Sequence, residues 1–328
     1  MSLTRRDFLR DAAVTAGGIA GAAGAVAAQP PAPSLARRTL GRTGWRASII
    51  GFGMAPLGSD NSTPDFVEKT VGYAIEQGIN VLDVAPVYGS TGSRYGNAET
   101  KLKGVLQQHR KRVFLVTKVN AGRPDRDGVQ RQLEESLQRM GVGQVDAVHI
   151  HNLGDFDMEK LLGPDGALAG LKAARKNGLT RFIAVSGHIR PARFTRLIDT
   201  GEIDMTMVVL NFADRNHYDF EGAVLPVARK HRTGVIAMKV LGGTKGWSYD
   251  GRSQANLAQY HEKAIRYSLG LPGVACAVIG FNNIDEVNAA LAVARAFKPL
   301  DAAEKQALLA EGQRIAASRG LYYGPATG

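Results

Sequence analysis

Ile49-Ile50-Gly51-Phe52-Gly53-Met54-Ala55-Pro56 is a short apolar run that closes on a proline. A doubly wound open sheet follows its first strand with a three-glycine phosphate turn that opens a helix. Here the third glycine is missing, and Pro56 stands where that helix would begin. Seven further apolar runs lie downstream, at 79–84, 113–118, 145–151, 182–186, 205–211, 235–240 and 274–280. Stretches with helical spacing follow them in alternation, at 66–77, 98–108, 129–140, 168–177, 192–200, 221–232, 257–269 and 285–296. Gly78, Gly141, Gly178, Gly201 and Gly234 stand at or just beyond the ends of helical stretches, where glycine serves as a C-terminal stop. Eight such alternations predict one α/β domain, a (β/α)8 TIM barrel whose strands are buried on both faces. Upstream, the segments 38–40 and 45–47 flank Gly41-Arg42-Thr43-Gly44 and predict an N-terminal β-hairpin.

The chain has 328 residues, 44% of them hydrophobic and 22% charged, which is the composition of a globular protein with ample core material. Its single cysteine, Cys276, excludes an internal disulfide, a thiolate zinc cluster and an iron–sulfur site, and its place in an apolar run reads as core. The net charge of +11 arises from scattered residues, without like-charge runs interleaved with aromatics, so no nucleic acid is expected as a partner. Residues 1–10, MSLTRRDFLR, precede a Gly- and Ala-rich apolar stretch at 12–28. Thr4, the Arg5-Arg6 pair and Phe8-Leu9 resemble a twin-arginine export signal, and the small residues before Gln29 fit cleavage after Ala27 or Ala28. The rival reading is a membrane anchor, for which the stretch is short and weakly apolar. The expected organisation is therefore a signal at 1–28, a linker at 29–37 and the barrel at 38–328. The resemblance implies a periplasmic or otherwise exported protein. Its partner would be the twin-arginine (Tat) machinery, which moves folded and cofactor-loaded chains, and no stable membrane span would remain after cleavage.

In a barrel of this kind, reactive groups sit at the C-terminal ends of the strands. The second run ends at Asp83-Val84 and leads into Ala85-Pro86-Val87-Tyr88-Gly89, the third ends at Thr117-Lys118, and the fourth at His149-Ile150-His151-Asn152. A carboxylate, a phenol, an ammonium and an imidazole thus gather at one rim. In this order, with Glu99 opening the next helix and Asp146 five residues before His151, they resemble the aldo-keto reductase superfamily over residues 38–300. The resemblance implies hydride transfer between a nicotinamide cofactor, NAD(P)(H), and a small carbonyl or alcohol substrate, an aldehyde, ketone or sugar. Asp83, Tyr88, Lys118 and His151 would be catalytic. Carbonyl reduction builds negative charge on oxygen, so it needs a proton donor within hydrogen-bond reach. Tyr88 is that acid; a phenol titrates near 10, so it needs a neighbouring cation, Lys118, which Asp83 keeps charged and in place. His151 orients the carbonyl or relays a proton, and His149 reads as a core histidine.

The family resemblance also implies a dinucleotide lying across the barrel mouth, near Gly53 and Met54, with Ser186 holding the carboxamide. Its usual companions differ: Gly187, Met207 and Met238 replace an asparagine, a glutamine and the stacking aromatic. A thioether can cover a ring, since sulfur–aromatic contacts contribute about 0.3–1.5 kcal/mol. His188 and Asn211 are candidates for the missing polar contacts. Lys239, Leu241 and Gly243 resemble the loop over the pyrophosphate, where glycine admits a close backbone approach. Gly280, Asn282 and Glu286 would flank the adenosine. That segment has no cation for a 2′-phosphate, and Glu286 takes the family's arginine position, so the reading leans towards NAD(H). Two alternatives stand beside it. One is a cofactor-binding redox sensor or regulatory subunit with little turnover, as in potassium-channel β-subunits. The other is a metal-dependent sugar isomerase, for which Asp83, His149 and His151 lack carboxylates on later strands. Specificity is expected from the segments 91–97, 153–166 and 244–254 and the tail after Gly320, with Trp247, Tyr249, Tyr322 and Tyr323 as an apolar or sugar-stacking wall or as surface and packing aromatics.

Overall fold

The computed structural model describes residues 34–88, 96–120, 125–244 and 254–327; the leader at 1–28, most of the linker, Trp247 and Tyr249 lie outside the described residues. Two short strands, β1 (Arg37–Thr39) and β2 (Arg46–Ser48), pair antiparallel as the expected hairpin. The chain turns between them at Gly41, whose φ of 50° and whose approach to Gly234, 2.2 Å from an added Cβ to the amide nitrogen, leave no room for a side chain. Leu40 is fully buried and presses on Gly234, so the hairpin closes the N-terminal end of the barrel.

Eight parallel strands follow: β3 (Ile50–Gly53), β4 (Val81–Asp83), β5 (Phe114–Asn120), β6 (Val145–His151), β7 (Thr180–Gly187), β8 (Met205–Val209), β9 (Gly234–Met238) and β10 (Val274–Gly280). β10 pairs with β3 and closes the ring. Every residue of β3, β4, β6, β8 and β9 is buried, as a sheet covered on both faces requires. Outside lie α1 (Pro64–Glu76), α2 (Asn97–Lys101), α3 (Lys103–His109), α4 (Arg126–Met140), α5 (Met158–Leu162), α6 (Ala167–Lys176), α7 (Pro191–Asp199), α8 (Phe220–Lys230), α9 (His261–Gly270), α10 (Ile284–Arg295) and α11 (Ala302–Arg319).

Local chemistry sets the ends of these helices. The Thr63 hydroxyl accepts from Phe66 N at the head of α1, and Gly141, with φ 68°, stops α4. Four expectations shift. The helical stretch at 98–108 breaks into α2 and α3, and the one at 257–269 starts late, after a tight turn at Ala258–Tyr260. The runs at 205–211 and 235–240 leave the sheet early, at Val209 and Met238, because Asn211 and Lys239 bond to each other across the loops. α5 and α11 were not expected. Among the described residues, no helix is long and apolar enough to cross a membrane.

Candidate active site

Side chains alternate across a strand, and on β5 this sends neighbours to opposite faces. Thr117 points outward, donating to the fully buried Glu99 of α2 at 2.6 Å, while Lys118 points inward. The Lys118 ammonium pairs with Asp83 Oδ1 and donates to Val84 O at 3.0 Å, so the end of β4 grips the end of β5. Asp83 and Lys118 are 3% and 1% exposed, which removes the pair from water. Beyond β4 the chain folds back through Tyr88 N to Ala85 O at 3.1 Å, and this brings the phenol over the pair. Tyr88 donates its hydroxyl hydrogen to Asp83 Oδ2 at 3.2 Å, and its ring centroid lies 4.9 Å from Lys118 Nζ. His151, at the end of β6, meets that ring edge-on, with centroids 6.5 Å apart. The four residues singled out in the sequence therefore stand together, with Tyr88 the half-exposed member at the opening.

Burial and charge act on these groups in opposition. Lys118 has its pKa lowered from the ordinary lysine value: loss of hydration outweighs the stabilising carboxylate of Asp83. The ion pair therefore only partly restores what burial removes. His151 is pulled down to about 3 by burial and by the cations of Lys118 and Lys239, so its imidazole is neutral. His149, one layer deeper and level with Lys118, is fully buried, and burial and the cation of Lys118 lower it well below its usual value. Behind β5, Arg139 donates to Glu99 Oε2 at 2.7 Å, which fixes α2, and so the turn carrying Tyr88, to α4.

The aldo/keto reductase family model matches residues 49–259. The chain belongs to the aldo/keto reductase family. It is 27% identical to L-galactose dehydrogenase of Arabidopsis thaliana over 283 residues, 76% of this chain and 85% of that one. It is 36% identical to 6-dehydroglucose reductase of Novosphingobium aromaticivorans over 123 residues, 35% of this chain and 40% of that one. An aldo-keto reductase from Klebsiella pneumoniae in complex with NADPH shares the fold, with a TM-score of 0.65, 20% identity and coverage of 89% and 96%. The chemistry of this aldo/keto reductase is nicotinamide-dependent interconversion of carbonyl and alcohol groups on small molecules.

The residues at the mouth fit such a cofactor in part. Ser186, next to last in β7, is in register with His151 and Met207, and among the described residues its buried hydroxyl has no hydrogen-bond partner. Unpaired buried polar atoms are uncommon, and an amide ligand would satisfy this one. Met207, its partner on β8, and Met238, at the end of β9, are buried, at 1% and 9% exposed. Lys239 takes a left-handed backbone, φ 54°, and its charge reaches Lys118 and His151, so it faces the reacting centre as well as the loop. Gly242 and Gly243 are both left-handed, at 75° and 68°, and Leu241 O accepts from Leu257 N at 3.0 Å.

Three expected contacts take other roles in the reductase. Asn211 donates to Asp214 Oδ2 at 2.7 Å and Lys239 O at 2.9 Å and accepts from Ala213 N and Asp214 N, which engages its whole amide inside the protein. Met54 is fully buried, its N–H taken by Asp83 O at 2.9 Å, so it braces β4. His188 turns from the carboxamide position toward Asn152 Oδ1 at 2.9 Å and stacks on Tyr323 at 5.3 Å. Gly53 and Gly280 end neighbouring strands in register, and an added Cβ at Gly280 would lie 2.9 Å from Pro56. Glu286 accepts from the Asn282 amide nitrogens at 2.8 and 3.0 Å, so these two residues hold each other at the head of α10. Arg319, which donates to Gly242 O and lies 3.9 Å over the Tyr322 ring, escapes sequence reasoning, because nothing in α11 marks its last turn as a contact with the mouth.

Proposed function

We propose that Tyr88 is the general acid and base of this reductase, acting on the carbonyl of a sugar or sugar-like substrate. The observation that supports it is the buried Asp83–Lys118 pair beneath a half-exposed phenol, beside a neutral imidazole. A bound nicotinamide supplies the hydride. Tyr88 transfers its proton to the carbonyl oxygen, and the phenolate left behind rests against Lys118, whose positive charge offsets it. The 3.2 Å bond from Tyr88 to Asp83 is long for a hydroxyl on a carboxylate, so the hydroxyl can exchange that partner for substrate. Neutral His151 offers an N–H to the same oxygen, orienting it without adding charge. The substrate class takes support from the two sugar-active relatives.

Ser186 would hold the carboxamide, Met238 the ring face, and Gly242 and Gly243 the diphosphate. The lean is to NAD(H): Glu286 offers a carboxylate to a ribose hydroxyl and repels a 2′-phosphate. Export through the twin-arginine route belongs to the same proposal and rests on Arg5 and Arg6.

Tyr88→Phe tests the acid role. Turnover is expected to fall by about 10²- to 10⁴-fold while nucleotide affinity stays within a small factor; undiminished turnover would overturn it. Glu286→Arg should swing nucleotide preference towards NADPH, and a native protein that already prefers NADPH removes the lean. Cell fractionation of the double variant Arg5→Lys, Arg6→Lys should leave the protein in the cytoplasm, whereas unchanged export would exclude that route.

A further inference from the structure

Outward from the reacting centre, β6 and β7 continue into a second set of paired side chains. His151 and Ser186 are register partners, and the next groups beyond them are Asn152 and His188. At about 3.3 Å per residue, His188 stands roughly 7 Å further out than Ser186, the reach of a short carbon chain. Asn152, His188, Asp155, Ile189 and Tyr323 enclose a cavity of 280 Å³, close to the lower end of the usual range for small-molecule sites, about 300–1,000 Å³.

This wall is built. Asn152 has a left-handed backbone, φ 59°, which returns its amide to β7, where Oδ1 meets His188 Nδ1 at 2.9 Å. His188 stacks on Tyr323 with 29° between the rings, and Tyr323 donates to the buried Asp214 at 2.9 Å. Burial and the charge of Lys239 keep His188 neutral. With Nδ1 donating to Asn152, His188 Nε2 is an acceptor. Asn152 Nδ2 adds donors, Asp155 adds two acceptor oxygens at the exposed edge, and Ile189 with the Tyr323 ring supplies an apolar floor. Arg190 and Arg193 lie near but bind the Gly154 carbonyl, and among the described residues Asp155 is the one charged residue in the lining.

We propose that this cavity is the subsite for the far, hydroxylated and uncharged end of the substrate, and that Asp155, Asn152 and His188 make the enzyme prefer a polyol carbonyl to an unsubstituted or acid-bearing one. Hydroxyls both donate and accept, so a polyol can pair with the mixed rim; an alkyl chain cannot, and a carboxylate meets Asp155. The inference rests on the reductase reading above.

Three aldehydes of equal chain length separate the outcomes: D-erythrose, butanal and succinic semialdehyde, each measured as kcat/KM with the full-length protein. The native enzyme should favour erythrose over butanal by about tenfold or more, the selectivity expected when a site built for hydroxyls meets a substrate without them. Asp155→Asn, a surface change that spares the fold, should raise succinic semialdehyde relative to erythrose by about tenfold, as expected from relief of like-charge repulsion. His188→Phe, checked for an unchanged melting temperature, should lower the ratio of kcat/KM for erythrose to that for butanal by about tenfold. Ratios indifferent to both substitutions, or losses shared equally by erythrose and butanal, would overturn the subsite alone. A native protein that reduces none of the three with NADH or NADPH would overturn the reductase reading and the subsite with it.

Discussion

At Lys118, two forces of opposite sign meet in one side chain, and their balance can be read kinetically. Burial lowers its pKa and Asp83 raises it, so Asp83→Asn removes the restoring influence and leaves the penalty. The alkaline limb of kcat/KM for reduction, where Lys118 loses its proton, should move towards lower pH in that variant. An unmoved limb would assign the titration to another group. His151 behaves differently: held neutral down to about 3, it should contribute no acid limb between about pH 5 and 8. A limb in that range that disappears in His151→Asn would contradict this. The four side chains were legible because each is a reactive type at a strand end, and strand ends converge in a barrel. What the sequence hid were states that depend on neighbours. Asn211 looks like a free amide and is fully engaged, while Ser186 looks ordinary and is buried without a partner.

Strands and their clasps were legible to different degrees. The apolar runs marked all eight barrel strands, since a strand covered on both faces must be apolar throughout. α11 escaped notice because it buries only Leu308, Gly312 and Ala316, a stripe of mostly small residues without hydrophobic periodicity. Its Gly312 is required by contact, as an added Cβ would fall 2.1 Å from Phe212 O. At the opposite end of the barrel, two aspartates play matching parts. Asp146 accepts from Leu115 N at 2.8 Å and pairs with Arg110 and Arg181 at 2.9 and 2.7 Å; Asp204 accepts from Ile183 N at 2.9 Å and pairs with Arg42 and Arg175 at 2.8 and 3.4 Å. Asp146 ties a strand amide to the turn at Arg110 and to the neighbouring strand β7 through Arg181, and Asp204 ties one to the hairpin and to α6. Asp146 entered the sequence reading as a family marker, and its geometry makes it a fastening. Asp146→Ala should cost about 2–4 kcal/mol, because it leaves the buried Leu115 N–H unpaired and removes two ion pairs whose arginines are partly exposed. Urea unfolding measures this, and a loss below about 1 kcal/mol, the size of an exposed ion pair, would contradict it. Gly41→Ala should also destabilise, through its left-handed φ and its contact with Gly234.

On the scale of the whole molecule, a closed barrel with its chemistry at one mouth gathers titratable groups into a dry interior, and the fold bears the consequence. His149, His151 and His188 all have lowered pKa values, chiefly through burial and further through Lys118, with Lys239 acting on His151 and His188. In the unfolded chain each would titrate near 6.5, whereas in the folded chain His151 holds out to about 3. Below 6.5 the unfolded state therefore binds protons that the native state refuses. Stability is fully present above that value and declines as pH falls towards the folded values. Once well inside the window, each histidine contributes about 1.4 kcal/mol per pH unit, so three together approach about 4 kcal/mol per unit, against a typical total of about 5–15 kcal/mol. Most carboxylates titrate lower, near about 4, so the upper part of the window belongs to histidine. Urea midpoints measured from about pH 7 down to about 5.5 should fall steeply in the native protein. In His149→Asn the slope should drop by about a quarter to a third, since burial lowers His261 as well. Equal slopes in the two proteins would mean that the ring of His149 gains its proton as readily inside the barrel as outside it, and the neutral, water-poor mouth inferred for Tyr88 and Lys118 would lose its physical basis.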